Sequence, residues 1–163
     1  MKRLFIVRHG KSSWDINSVK DPDRPLKERG ISDGYEMAKR LADRKLVPER
    51  MISSNGIRAL HTAVIFHRVL GLPKSSFVLD PDLYLATKDE LLNSVFGLED
   101  TINSVMIFGH NPGFTDLINY LSNLDLMNLP TTGIAILDFE TDQWNEIGRD
   151  KLVNEYIDFP KNI

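Results

Sequence analysis

Short apolar runs alternate along this chain with longer stretches whose apolar residues recur at helical spacing, and few folds accept that alternation. Leu4–Val7 reads as a first strand. Tyr35, Ala38, Leu41 and Ala42 give a helix from about Ser32 to Lys45. Arg50–Ser53 is a short strand, and Ile57, Leu60, Val64 and Leu70 mark a second helix stopped by Gly71 and Pro73. Phe77–Leu79 is a strand, Lys88–Leu98 a helix and Ser104–His110 a strongly apolar strand. Phe114, Leu117, Ile118 and Leu121 mark a fourth helix, and Ile134–Phe139 with Gln143–Ile147 read as a closing hairpin. This order predicts an α/β fold with a mostly parallel sheet. The two most apolar strands, the first and fourth, belong at its centre. A length of 163 residues suits one domain, 1–163.

In such sheets ligands bind beyond the carboxyl ends of the strands. Arg8 and His9 follow the first strand directly, and His110 closes the fourth. Asn111 is a suitable N-cap and Pro112 a favoured first helical residue, so His110 sits just before a helix N-terminus. Arg58 falls in the first turn of the helix after the short strand Arg50–Ser53. Two arginines and two histidines therefore collect at strand-to-helix turns. A tetrahedral phosphoryl group needs such a set. Guanidinium grips phosphate oxygens with paired hydrogen bonds, a neutral imidazole can attack phosphorus, and a second imidazole can offset charge in the transition state. His61 and His67 stand six apart on a helix, which is no shared-face metal spacing, and they read as surface or packing residues.

Composition narrows the alternatives. Without cysteine there is no disulfide framework and no thiolate metal site. The four apolar residues after Met-Lys-Arg are too few for a secretory signal, and no run reaches membrane-spanning length, so the expectation is a cytoplasmic protein. The formal net charge of −3 argues against general nucleic-acid binding. Residues 1–76 nevertheless hold 16 Lys and Arg against 8 Asp and Glu, a balance that can focus an anionic substrate. No GxSxG, GxxxxGK[ST] or GxGxxG is present, which disfavours serine hydrolases, P-loop NTPases and dinucleotide binders.

The ordered set "RHGKSSW", "DPDRPLKERG", "SSNGIRALHTA", "DLYLAT", "FGHNPGF" and "LPTTG" resembles the histidine phosphatase superfamily, of phosphoglycerate-mutase-like fold, and within it the SixA-type phosphohistidine phosphatases. The resemblance implies a three-layer sandwich with helices on both faces of the sheet. It makes His9 the nucleophile and assigns Arg8, Arg58 and His110 to the phosphate pocket, with no cofactor and no metal. Lys11, Ser12 and Arg24 would flank the pocket. Two positions depart from relatives. Larger members often carry a phosphate-contacting asparagine where Asp15 stands, and the acid-phosphatase branch has a proton-donating aspartate where Asn111 stands. Asp82 is the carboxylate to consider as a substitute donor. A missing acid costs least with phosphohistidine, whose P–N bond is weak and whose leaving group is protonated easily. The expected substrate is a phosphorylated protein such as a histidine phosphotransfer domain. The alternatives are a small phosphorylated metabolite on the same site, or a non-catalytic phosphate-binding module, which the presence of both histidines disfavours.

Overall fold

A computed structural model describes residues 1–15 and 18–162. Six strands form one mixed sheet: β1 (Lys2–Arg8), β2 (Arg50–Ser53), β3 (Phe77–Leu79), β4 (Ser104–Gly109), β5 (Ile134–Phe139) and β6 (Leu152–Asp158). Their order is β3-β2-β4-β1-β5-β6. The first four are parallel, whereas β5 runs antiparallel to β1 and β6 antiparallel to β5. The two most apolar strands, β1 and β4, lie side by side at the centre, as their composition requires.

The pleat sorts each strand's side chains between two cores. Phe5 and Val7 of β1 join Met106 and Phe108 of β4 under helices α1 (Glu28–Asp43) and α2 (Ile57–Leu70). Leu4, Ile6, Val105 and Ile107 face the opposite way, onto α3 (Lys88–Phe96) and α4 (Gly113–Leu121). The result is the three-layer sandwich. α2 ends where its sequence says, with Gly71 in the left-handed conformation at φ 67°. α3 opens with a full capping box between Thr87 and Glu90.

Three local expectations need correction. α1 starts at Glu28 rather than Ser32, because Gly30 packs its first turn flat against Lys11. α4 starts at Gly113, so Asn111 and Pro112 both precede it; the Asn111 amide oxygen still accepts from Thr115 N (3.2 Å) and Thr115 Oγ1 (2.8 Å). The stretch Gln143–Ile147 is no strand. Trp144 sits fully buried in a 3₁₀ turn, its indole donating to the Ile102 carbonyl at 2.8 Å, and it plugs the α3/α4 core. The partner of β5 is β6, which starts only at Leu152.

Candidate active site

The carboxyl ends of β1, β2 and β4 deliver the site. Arg8 and Gly109 are register partners, so His9 and His110 leave neighbouring strands together, and their ring centroids stand 5.3 Å apart. Arg8 continues the Leu4/Ile6 face and donates through Nη1 to the Leu129 carbonyl at 2.9 Å. His9 follows the Phe5/Val7 face and meets Arg58 of α2. The turn that carries them is clamped: Gly10 N donates to Thr62 Oγ1 (3.0 Å), and the Arg8 and His9 carbonyls both accept from Thr132 N.

Hydrogen bonds fix the tautomers. His9 Nδ1 lies 2.7 Å from the Gly10 carbonyl, which can only accept, so Nδ1 carries the proton and Nε2 keeps its lone pair. Arg58 Nε approaches that Nε2 at 3.4 Å. His110 Nε2 lies 2.8 Å from the hydroxyl of buried Ser54, which already accepts from Gly56 N at 3.1 Å. Only if the hydroxyl donates to Nε2 are both of its roles satisfied, and His110 then carries its proton on Nδ1. Burial, with added repulsion from His110, Arg58 and Arg8, holds the His9 imidazolium down at about 3, although the Gly10 carbonyl opposes the shift. Burial and then Arg58 lower His110 to about 4. Both rings are neutral near pH 7.

Asp21 organises the cations. Its carbonyl and carboxylate receive Arg58 Nη1 (2.8 Å) and Nη2 (3.1 Å), and its other oxygen receives Arg24 Nε at 3.1 Å. The Tyr84 hydroxyl donates to the same carboxylate. Burial alone would raise the Asp21 pKa, but the Tyr84 bond and the Arg58 charge outweigh it and hold the group below the usual range. Arg24 also stacks on Trp14, its guanidinium carbon 3.4 Å from the ring centre.

Arg8, His9, Trp14, Arg24, Arg58 and His110 line an open cleft of about 330 Å³ with Lys11, Ser12, Lys27, Leu85, Asn111 and Thr131, and no carboxylate of the described residues reaches its wall. Four buried side-chain polar atoms have no partner among the described residues, and three of them, Arg8 Nε, Arg24 Nη1 and His110 Nδ1, belong to residues of this cleft. Each is a donor. All three are closed to solvent, so the anion-binding character of the cleft rests on its five lining cations, Arg8, Lys11, Arg24, Lys27 and Arg58. The structure thus brings together Arg8, His9, Arg58 and His110, with Lys11, Ser12 and Arg24 around them. Asp82 lies outside the cleft wall, exposed on a turn, and Asp15 is exposed as well. His67 bonds the Pro73 carbonyl, and His61 is absent from the cleft. Asp21, Ser54 and Tyr84 lie within the stretches "DPDRPLKERG", "SSNGIRALHTA" and "DLYLAT", but the sequence assigned them no role, because their partners are distant in the chain.

The model of the histidine phosphatase superfamily (branch 1) matches residues 4–83. Phosphohistidine phosphatase SixA of Escherichia coli (strain K12) is 31% identical over 121 residues, covering 73% of this chain and 71% of that protein. An uncharacterized chloroplastic protein of Arabidopsis thaliana is 30% identical over 153 residues, covering 89% of this chain and 70% of that one. A structure of the protein histidine phosphatase SixA with tungstate superposes with a TM-score of 0.83 at 24% identity, covering 98% of both chains. A mycobacterial glucosyl-3-phosphoglycerate phosphatase with inorganic phosphate gives 0.65 at 18% identity, over 97% of this chain and 96% of that one. The fold and site define a phosphoryl-handling α/β protein of phosphoglycerate-mutase-like architecture. The chain belongs to the histidine phosphatase superfamily, with SixA among its homologues.

Proposed function

We propose that this phosphatase acts through a covalent phosphohistidine intermediate on His9, and that protein phosphohistidine is its preferred substrate. The observation that carries the reading is the cleft itself: an imidazole lone pair met only by a long Arg58 Nε contact, among five lining cations, with no carboxylate of the described residues in the wall. His9 Nε2 attacks phosphorus in line while the P–N bond of the substrate breaks, and the departing nitrogen keeps the electron pair and takes up a proton from solvent through the open cleft. Arg8, Arg58 and Arg24 hold the non-bridging oxygens. His110 donates from Nδ1 to the charge that builds on them. Water then attacks the phosphoryl group, the Nε2–P bond breaks, and inorganic phosphate leaves.

The substrate preference follows from the missing acid. Asp21 is engaged by Tyr84, Arg58 and Arg24 and held ionised, so it is poorly suited to give a proton to an alkoxide. A general acid contributes about 10²–10⁴-fold. Leaving groups that depart without it, phosphoramidates first and aryl phosphates next, gain most here. The cationic cleft also supplies the positive charge that a divalent ion would otherwise bring.

The test is brief incubation with labelled phosphohistidine peptide in EDTA, followed by an acid quench. Acid-labile label should appear on the wild type and vanish in His9→Ala, and an alkyl phosphate should turn over at least 100-fold more slowly. Label on a serine or on His110, or activity that EDTA removes and a divalent ion restores, would overturn the reading.

A further inference from the structure

The cleft does not end above His9. A second cavity of about 400 Å³ opens beside it and shares Arg8, Lys11 and Thr131 with it. Its outer wall is the last part of the described chain, Phe159, Pro160 and Lys161, facing Arg29 and Asp33 of α1. That wall is built, not draped. Arg40 of α1 bonds the Asp158 carboxylate and the carbonyls of Phe159, Pro160 and Asn162, at 3.0–3.3 Å. One guanidinium thereby gathers the tail against the helix and holds Lys161 at the cavity.

The charge there is one-sided. Seven Lys and Arg line the two cavities together, against one carboxylate, in a chain with 20 basic and 23 acidic residues. That carboxylate, Asp33, is buried and taken by Arg29 Nε at 3.2 Å. The terminal amino groups of Arg29 and the Lys161 ammonium have no acceptor among the described residues. Pro130, Phe159 and Pro160 place apolar surface directly beside them. A cation next to apolar walls fits a carboxylate on a short methylene stem, which is an acidic side chain.

We propose that this second cavity binds a carboxylate side chain of the protein substrate, on a residue flanking its phosphohistidine, while the phosphoryl group occupies the cleft over His9. The proposal rests on the phosphatase reading above and adds what selects the partner: an acidic surface around the target histidine. The shared walls explain why the two groups bind together. Arg8 and Lys11 border both, so a peptide that fills one cavity lies against the wall of the other. Opposite charge also speeds encounter at low salt.

The test compares two phosphohistidine peptides that differ only in Glu or Gln beside the target. They are given to the wild type and to the double variant Arg29→Gln with Lys161→Gln. Gln at 29 keeps a donor for Asp33. The wild type should favour the acidic peptide by about tenfold in kcat/KM at low ionic strength, mostly through KM, and added salt should erode the ratio. In the double variant the ratio should fall near one. An equal ratio in both proteins overturns the proposal. So does a bisphosphorylated small molecule that displaces the peptide from the wild type and not from the variant, since that assigns the cavity to a second phosphate. Affinities of the same peptides for His9→Ala proteins judge the cavity without turnover. Peptides bound with the expected ratio but never hydrolysed by the wild type would defeat the phosphatase reading alone.

Discussion

The Leu129 carbonyl accepts from two donors, Arg8 Nη1 at 2.9 Å and Asn111 Nδ2 at 3.0 Å. Asn111 Nδ2 also donates to Asn128 Oδ1 at 2.8 Å, while its oxygen serves Thr115. Every polar atom of this amide is engaged, and its NH₂ faces two oxygens. That is why a carboxylate cannot simply be restored here as a proton donor. Asn111→Asp should lower stability by roughly 1–2 kcal/mol, since the new oxygen meets carbonyl oxygens in place of donating to them. It should also lower kcat/KM by loosening Arg8. Thermal melts and rates on an alkyl and an aryl phosphate check this; a faster alkyl rate would show the new carboxylate acting as an acid. At this scale the sequence pointed to Arg8, His9 and His110 by their places at strand ends and to Arg58 by its place in the first turn of α2. Asp21 stayed hidden because it acts on Arg58 and Tyr84 across 37 and 63 residues, and no local pattern encodes such a partnership.

Helix α1 shows how an element serves the site from a distance. A Cβ on Gly30 would lie 2.3 Å from the Lys11 carbonyl oxygen and 2.9 Å from Lys11 N, both backbone atoms that cannot swing away. Gly10 faces the same crossing, where an added Cβ would lie 3.0 Å from the Gly30 carbonyl oxygen. The turn after His9 therefore rests directly on the first turn of α1. Gly30→Ala should cost about 1–3 kcal/mol and reduce kcat/KM together, because the helix must back away from the loop that aims His9. Gly97→Ala, where the nearest atom is 3.5 Å away, is the control and should change little. Chemical denaturation and steady-state rates on both variants decide it; an unimpaired Gly30→Ala enzyme would mean the crossing does not position the loop. The early start of α1 was illegible for the same reason, since its first turn is shaped by a close backbone approach and not by apolar spacing. β6 escaped as well. It is an edge strand whose side chains are mostly exposed or half-buried, so it lacks the alternation that reveals a strand, whereas Trp144 and Ile147 imitate one.

For the whole molecule, the two central histidines set a pH limit. In the unfolded chain each titrates near 6.5, whereas in the fold His9 is held at about 3 and His110 at about 4. Below pH 6.5 the unfolded chain takes up protons that the folded one refuses. Stability is therefore full above that pH and declines as pH falls, until the folded groups titrate at about 4 and 3. Between pH 7.5 and 4.5 the loss should be on the order of 2 kcal/mol per histidine, and His9→Gln with His110→Gln should remove most of it. Urea melts at the two pH values test this; an equal loss in the double variant would place the acid-sensitive groups elsewhere. The sandwich itself was legible, because periodicity and the burial of two very apolar strands are properties of whole segments. One consequence of that central pair remains. Parallel strands sit about 4.8 Å apart, a spacing imposed by the backbone and indifferent to side chains. His9 and His110 directly follow adjacent strands whose last residues are in register, so the gauge between the two rings belongs to the sheet. Mutation cannot widen that gauge without dismantling the fold. The loops and the tail that border the cleft carry no such constraint: the sheet sets the grip on phosphorus, and its borders set the company the phosphorus keeps.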